Sequence, residues 1–228
     1  MSDYAQERAR ELMLLTRSAL RDLPGVCSDF VRAIEPTTQP LTRYAYVSDL
    51  KLFFHFLTSE CPRFANKEIP LITPEDLNGV TTRDLHIYME YLGLYMKGNE
   101  EITNAELGKM RKLASLRSFY KFMFKNGLID ADVAQLIDMP KRHEKPILRM
   151  EIDEVARMLD LVESGEGMSE RQQRYNQHTR LRDLAILTLF LDTGIRVSEL
   201  VGIDIDDIDF AVNGFLVTRK GGNQTILY

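Results

Sequence analysis

Cysteine is nearly absent: Cys27 and Cys61 are the two such residues in a chain of 228. That excludes the disulfide framework of a small secreted scaffold and points to a reducing compartment, with a cytoplasmic location expected. Nothing after Met1 has the charged, then apolar, then small-residue order of a signal peptide. Long apolar runs are lacking too. The longest strongly apolar stretch, residues 184–191, falls far short of the about 20 residues that cross a bilayer core of roughly 30 Å, so no membrane span is expected. His55, His86, His143 and His178 stand at no ligand spacing from one another or from the cysteines, which speaks against zinc. Asp204, Asp206, Asp207 and Asp209 lack the glycine and closing glutamate of a calcium loop, and Lys220-Gly-Gly is too short for a phosphate-cradling loop. No metal and no cofactor are expected, and no internal repeat is visible.

What is present is ordinary globular composition, with 44% hydrophobic and 28% charged residues, and a chain of this length buries enough surface to fold without a staple. The formal charge of −5 is unevenly spread. Residues 150–228 carry 8 basic and 14 acidic side chains, net −6, which leaves residues 1–149 at +1. The acidic total therefore does not exclude a nucleic-acid partner for the first part.

Apolar spacing predicts helices over 4–34, broken at Pro24-Gly25, over 41–57 with Thr42 as N-cap, over 74–94 with Gly79 as a dividing point, over 104–125 ending at Asn126-Gly127, and over 131–138. Residues 1–140 thus read as an all-α domain. Residues 141–149, basic and closed in by Pro140 and Pro146, read as a linker. Beyond it, residues 150–228 read as a second unit: a helix over 151–161, a polar loop over 163–179, an apolar helix over 181–192 buried on nearly every side, and a short helix over 197–201. Ile208-Asp-Phe210 and Phe215-Leu-Val217 then flank Asn213-Gly214, a two-residue hairpin signal, and a second turn at 220–223 leads into a strand that holds Tyr228.

Two segments carry chemistry. Between Lys109 and Lys125 there are six basic residues and no acidic one: Lys109, Arg111, Lys112, Arg117, Lys121 and Lys125. A uniform basic stripe on one helix suits a phosphate backbone, although a solvated helix face is the alternative reading of the same pattern. In Asp192-Thr-Gly-Ile-Arg-Val-Ser-Glu-Leu200, Arg196 stands just past a glycine turn at the start of a short helix, where a fixed guanidinium can bind phosphate through two hydrogen bonds. Glu199 is three residues on, placed to orient it. A plain surface Arg-Glu pair is the alternative.

Thr193-Gly-Ile-Arg-Val-Ser-Glu-Leu200 resembles the first active-site motif of the tyrosine recombinases, the Xer-type and phage-integrase group. Three more matches follow the family's order. Thr42-Arg-Tyr-Ala-Tyr-Val-Ser-Asp-Leu50 resembles its first DNA-clamping helix, Leu113-Ala-Ser-Leu-Arg-Ser-Phe-Tyr-Lys-Phe122 the last long helix of its core-binding domain, and Leu216-Val-Thr-Arg-Lys-Gly-Gly222 its lysine hairpin. The resemblance implies a mainly α chain: a helical, SAM-like core-binding domain and the first part of an α+β catalytic domain with a small antiparallel sheet.

It also implies site-specific DNA recombination, in which a tyrosine hydroxyl attacks a phosphodiester to give a 3′-phosphotyrosyl link, with duplex DNA and other recombinase protomers, as a tetramer on paired sites, for partners. Arg196 matches the family's first arginine and Lys220 its general-acid lysine, with Glu199 as support of Arg196. Arg43, Lys109, Arg111, Lys112, Arg117, Lys121, Lys125, Lys141 and Arg142 are the candidate DNA-binding residues. The family's His-x-x-Arg motif and nucleophilic tyrosine come after the lysine hairpin and have no match in these residues, and Tyr228 reads as a structural strand residue. The chain is therefore expected to be an incomplete, inactive fragment. A non-catalytic DNA-binding regulator is the alternative, and a helical module for an acidic protein partner a third reading.

Overall fold

The computed structural model describes residues 3–141, 146–219 and 222–228. It divides into two compact units, Glu7–His143 and Glu144–Tyr228, with the first six residues grouped with the second. Among the described residues no helix is long and apolar enough to cross a membrane.

The first unit is helical. α1 (Asp3–Leu20) and α2 (Gly25–Ile34) are separated at Pro24, and α3 (Pro40–Glu60) follows a 3-10 turn. α3 begins at Pro40, with Gln39 as its N-cap, so Thr42 lies in the first turn and does not cap it. Proline's fixed φ and missing N–H suit that opening position. Gly79 does separate two helices, α4 (Pro74–Asn78) and α5 (Thr82–Tyr91), each opened by a threonine and aspartate that cap one another's backbone N–H, Thr73 with Asp76 and Thr81 with Asp84. α6 (Glu106–Lys125) and a 3-10 turn (Val133–Leu136) complete the helical part.

The expectation of an all-α first domain is corrected by a hairpin, β1 (Leu94–Lys97) with β2 (Glu100–Thr103), paired Tyr95 to Ile102 around Gly98 at φ 63°. Its strands are largely exposed, so they carry little of the apolar alternation that would mark them in sequence.

Aromatic rings fill the core where α2, α3, α5 and α6 meet. Phe119 of α6 lies 5.4 Å from Phe30 and 6.2 Å from Phe54 between ring centres, and Phe53 lies 5.2 Å from Tyr88. These five rings are at most 1% exposed. Tyr120 joins them with its hydroxyl buried and without a hydrogen-bond partner among the described residues. A buried unmade hydrogen bond costs about 1–3 kcal/mol. Tyr120→Phe is therefore expected to leave stability unchanged or raise it by about 1 kcal/mol, read from urea midpoints; a loss larger than that would mean the hydroxyl is satisfied after all.

The second unit holds α7 (Ile152–Ser164), α8 (Glu170–Thr193), α9 (Val197–Leu200) and an antiparallel sheet of β3 (Ile208–Asp209), β4 (Gly214–Thr218) and β5 (Gln224–Leu227) in that order. Three expectations are corrected here. The stretch 163–179 is not a loop: after Gly165 closes α7 in a left-handed conformation, Ser169 and Gln172 form a capping box and α8 runs unbroken from Glu170. Nor is the apolar half of α8 buried, since the helix contains no buried residue and Leu181 is 73% exposed. Among the described residues of this unit, Ile195 and Val217 are the buried apolar ones. Lastly, Asp209 pairs with Gly214, so the β3–β4 connection is four residues long and Asn213, at φ 50°, ends it. A Cβ at Gly214 would lie 3.2 Å from both the Ile226 side chain and the Tyr228 ring, a tight contact that those exposed side chains would have to relax.

Candidate DNA interface and active site

The basic residues of α6 do not form one solvent-facing stripe. Lys112 is 8% exposed and donates to Asn104 Oδ1 at 2.7 Å, while the Asn104 amide donates to the Leu92 carbonyl at 2.9 Å, which ties α6 to the end of α5. Arg117 donates through Nε to the Ala134 carbonyl at 3.2 Å and through its terminal nitrogen to the Ile137 carbonyl, holding the 3-10 turn against α6. Arg111 donates to Asp49 Oδ2 of α3 at 2.5 Å, and Ser115 Oγ donates to the same oxygen at 2.7 Å. Asp49 is 4% exposed. Burial pushes its carboxyl above the usual range although Ser115, Arg111 and Lys112 all favour the charged form. Arg43, from the clamp-like helix, is 8% exposed and donates to the Glu35 and Thr38 carbonyls.

Arg43, Lys112 and Arg117 are thus spent on the fold, and Arg111 is shared with Asp49. Stepping about 100° per residue shows which side chains share a helix face but not which neighbouring carbonyls wait beside them. Lys109 is half-buried. Lys121, Lys125 and Lys141 are exposed and have no ionic partner among the described residues. Arg142 and Lys220 lie outside the described residues.

The second constellation is assembled at the start of α9. Gly194, at φ 59°, ends α8, and Ile195 buries its side chain to 4% exposure. Arg196 then takes the N-cap position with extended backbone angles. Its backbone N–H donates to Glu199 Oε2 at 3.0 Å, and its guanidinium donates to Glu199 Oε1 at 2.7 Å. The Glu199 side chain is 4% exposed, whereas that of Arg196 is 63% exposed. The buried carboxylate therefore fixes one edge of a guanidinium whose other donors face solvent.

A second guanidinium reaches the same carboxylate. Arg219, at the end of β4, donates to Glu199 Oε2 at 3.1 Å. The Arg196 backbone N–H, working against burial and helped by both guanidiniums, holds the Glu199 carboxyl below the usual carboxylate range. Two cations on one anion leave a net positive site, the sign an incoming phosphate requires. Sequence reasoning missed Arg219. It stands beside the motif lysine and 20 residues from Glu199, and only β4 lying against α9 brings the two together.

Residues 149–227 match the phage integrase family. The chain is 31% identical over 194 residues to a tyrosine recombinase XerC of Caldanaerobacter subterraneus, an alignment covering 83% of this chain and 50% of that protein. It is 30% identical over 193 residues to a tyrosine recombinase XerC of Pelobacter propionicus, covering 85% and 54%, and 33% identical over 156 residues to a tyrosine recombinase XerD of Mycobacterium leprae, covering 67% and 46%. The chain spans about half the length of the curated relatives it matches. With the Arg196 motif inside the matched segment and relatives aligned across both units, the chain belongs to the tyrosine recombinases of the phage integrase family.

Proposed function

We propose that this chain is the DNA-binding part and the first portion of the active site of a site-specific recombinase acting on duplex DNA in concert with other protomers. The observation that carries the reading is the Arg196 site: a guanidinium held by a buried carboxylate along one edge and open to solvent along the other. Such a donor is fixed before the reaction and costs no reorganisation when negative charge develops on a phosphate. In the proposed step a tyrosine hydroxyl gives up its proton to water as its oxygen attacks phosphorus, the bond from phosphorus to the 5′-oxygen breaks, and the leaving 5′-oxygen takes a proton from Lys220. A 3′-phosphotyrosyl link remains, and the later attack of the partner strand's 5′-hydroxyl on that phosphorus breaks the bond to the tyrosine and completes the exchange. Phosphodiester energy is conserved throughout.

Exposed Lys121, Lys125 and Lys141 support the DNA-binding part of the proposal. The 228-residue chain is expected to bind duplex DNA with a steep salt dependence. Lys121→Ala together with Lys125→Ala should lower the slope of log affinity against log salt by roughly two, since each phosphate contact contributes about one unit. Anisotropy titrations of a labelled duplex test this. Low-salt binding no stronger than that of an acidic control protein would sink the DNA-binding reading.

A further inference from the structure

We infer that Arg219 is a positioning residue of the active site, one that ties the end of β4, immediately before Lys220 in the sequence, to the Arg196 loop through their shared partner Glu199; the inference rests on the recombinase reading above. Arg219 acts at the base of the turn by its backbone and across to α9 by its side chain. Its N–H donates to the Asn223 carbonyl at 2.7 Å and its carbonyl accepts from the Gly222 N–H at 3.0 Å, which holds the end of β4 against the residues that lead into β5. Its side chain is 32% exposed, and its guanidinium reaches Glu199 Oε2, the same oxygen that accepts the Arg196 backbone N–H. One buried carboxylate therefore fixes two segments: the N-terminus of α9, which presents Arg196, and the end of β4, from which the turn springs.

The two arginines divide the work by exposure. Arg196 keeps nearly two thirds of its side chain open to a ligand, at 63% exposed, while Arg219 is mostly covered. Removing Arg219 leaves Glu199 still paired with Arg196 by two hydrogen bonds, so no buried charge is stranded and the fold should survive. What is lost is the cross-tie between the end of β4, from which the sequence runs on to Lys220, and α9. Misplacing a catalytic group by about 1 Å can cost on the order of 10²-fold in rate, and here the misplaced group is the one proposed to protonate the leaving oxygen.

The test is single-turnover cleavage by the full-length protein of a suicide substrate carrying its binding-selected site, made once with a bridging 5′-oxygen and once with a bridging 5′-sulfur. Sulfur leaves without a proton, so it removes the need for a well-placed general acid. Arg219→Ala is expected to slow the oxygen substrate by roughly 10- to 100-fold, to cleave the sulfur substrate at close to the wild-type rate, and to bind the site within about threefold of wild type. Arg219→Lys, which keeps a cation in reach of Glu199, should recover part of the loss on oxygen, and Arg219→Gln serves in the same comparison if the alanine variant folds poorly by thermal melting. An unslowed oxygen substrate would overturn the inference, as would a slowing that sulfur fails to rescue, since the residue would then touch the phosphate or merely hold the fold. A wild-type protein that binds its site and cleaves neither substrate overturns the recombinase reading itself, and this inference with it.

Discussion

Arg196→Ala is expected to slow DNA cleavage by the full-length protein on the order of 10²- to 10³-fold while changing site affinity only a few fold. The asymmetry follows from when the charge appears. A phosphorane carries more negative charge than the diester it forms from, so a fixed cation stabilises it preferentially. Ground-state affinity is spread over many phosphate contacts, and Lys121, Lys125 and Lys141 remain exposed for them. Arg196→Lys should recover little, because one edge of the guanidinium is committed to Glu199 while the rest faces outward, and an ammonium cannot reproduce that fork. The sulfur-leaving substrate separates the roles: it should rescue Lys220→Ala and should not rescue Arg196→Ala. Equal rescue of both would mean that the general acid has been assigned wrongly, and an affinity loss matching the rate loss would make Arg196 a plain binding residue.

Much of the fold and of the Arg196 segment is legible in the sequence because two kinds of signal are strong. Thr193-Gly-Ile-Arg-Val-Ser-Glu-Leu200 places a left-handed glycine, a buried isoleucine, an N-cap arginine and a capping glutamate at fixed spacing, and the structure uses each of them so. α3 and α6 were legible because each repeats apolar residues at helical spacing over five turns or more. The failures share a physical cause. The β1–β2 hairpin has largely exposed strands with little apolar alternation, so the stretch between the helices predicted over 74–94 and 104–125 carries no strand signal in the sequence. The first three turns of α8, with three arginines and a run of Gln and Asn, read as a loop, and the short capping signal of Ser169 with Gln172 was outweighed. Arg43, Lys112 and Arg117 read as phosphate ligands, yet their partners are Glu35, Thr38, Asn104, Ala134 and Ile137, most of them backbone carbonyls that no charge pattern reveals. Arg219 was hidden for the converse reason, since its partner is clear only once β4 lies against α9.

Phe119→Ala is expected to destabilise the first unit by about 3–5 kcal/mol, the usual cost of emptying a large aromatic site in a packed core. Phe119 is fully buried and meets three rings from three directions: Phe30 of α2 at 5.4 Å, Phe54 of α3 at 6.2 Å and Tyr120 of its own helix at 6.1 Å. All three contacts are edge-on, a geometry that adds roughly 0.5–1.5 kcal/mol per pair beyond burial, so neighbouring rings would have to turn and give up their own contacts to fill the space. With a denaturant slope of about 1–3 kcal/mol per molar urea, the midpoint of the transition reported by this unit should fall by at least 1 M. Phe119→Leu, which refills most of the volume, should cost considerably less. DNA affinity measured well below the melting temperature should follow the folded fraction alone, because the side chain touches no surface. If Phe119→Ala instead lowered affinity in a chain still fully folded by circular dichroism, α6 would have shifted on losing its central ring, and the exposed lysines it carries would have moved with it.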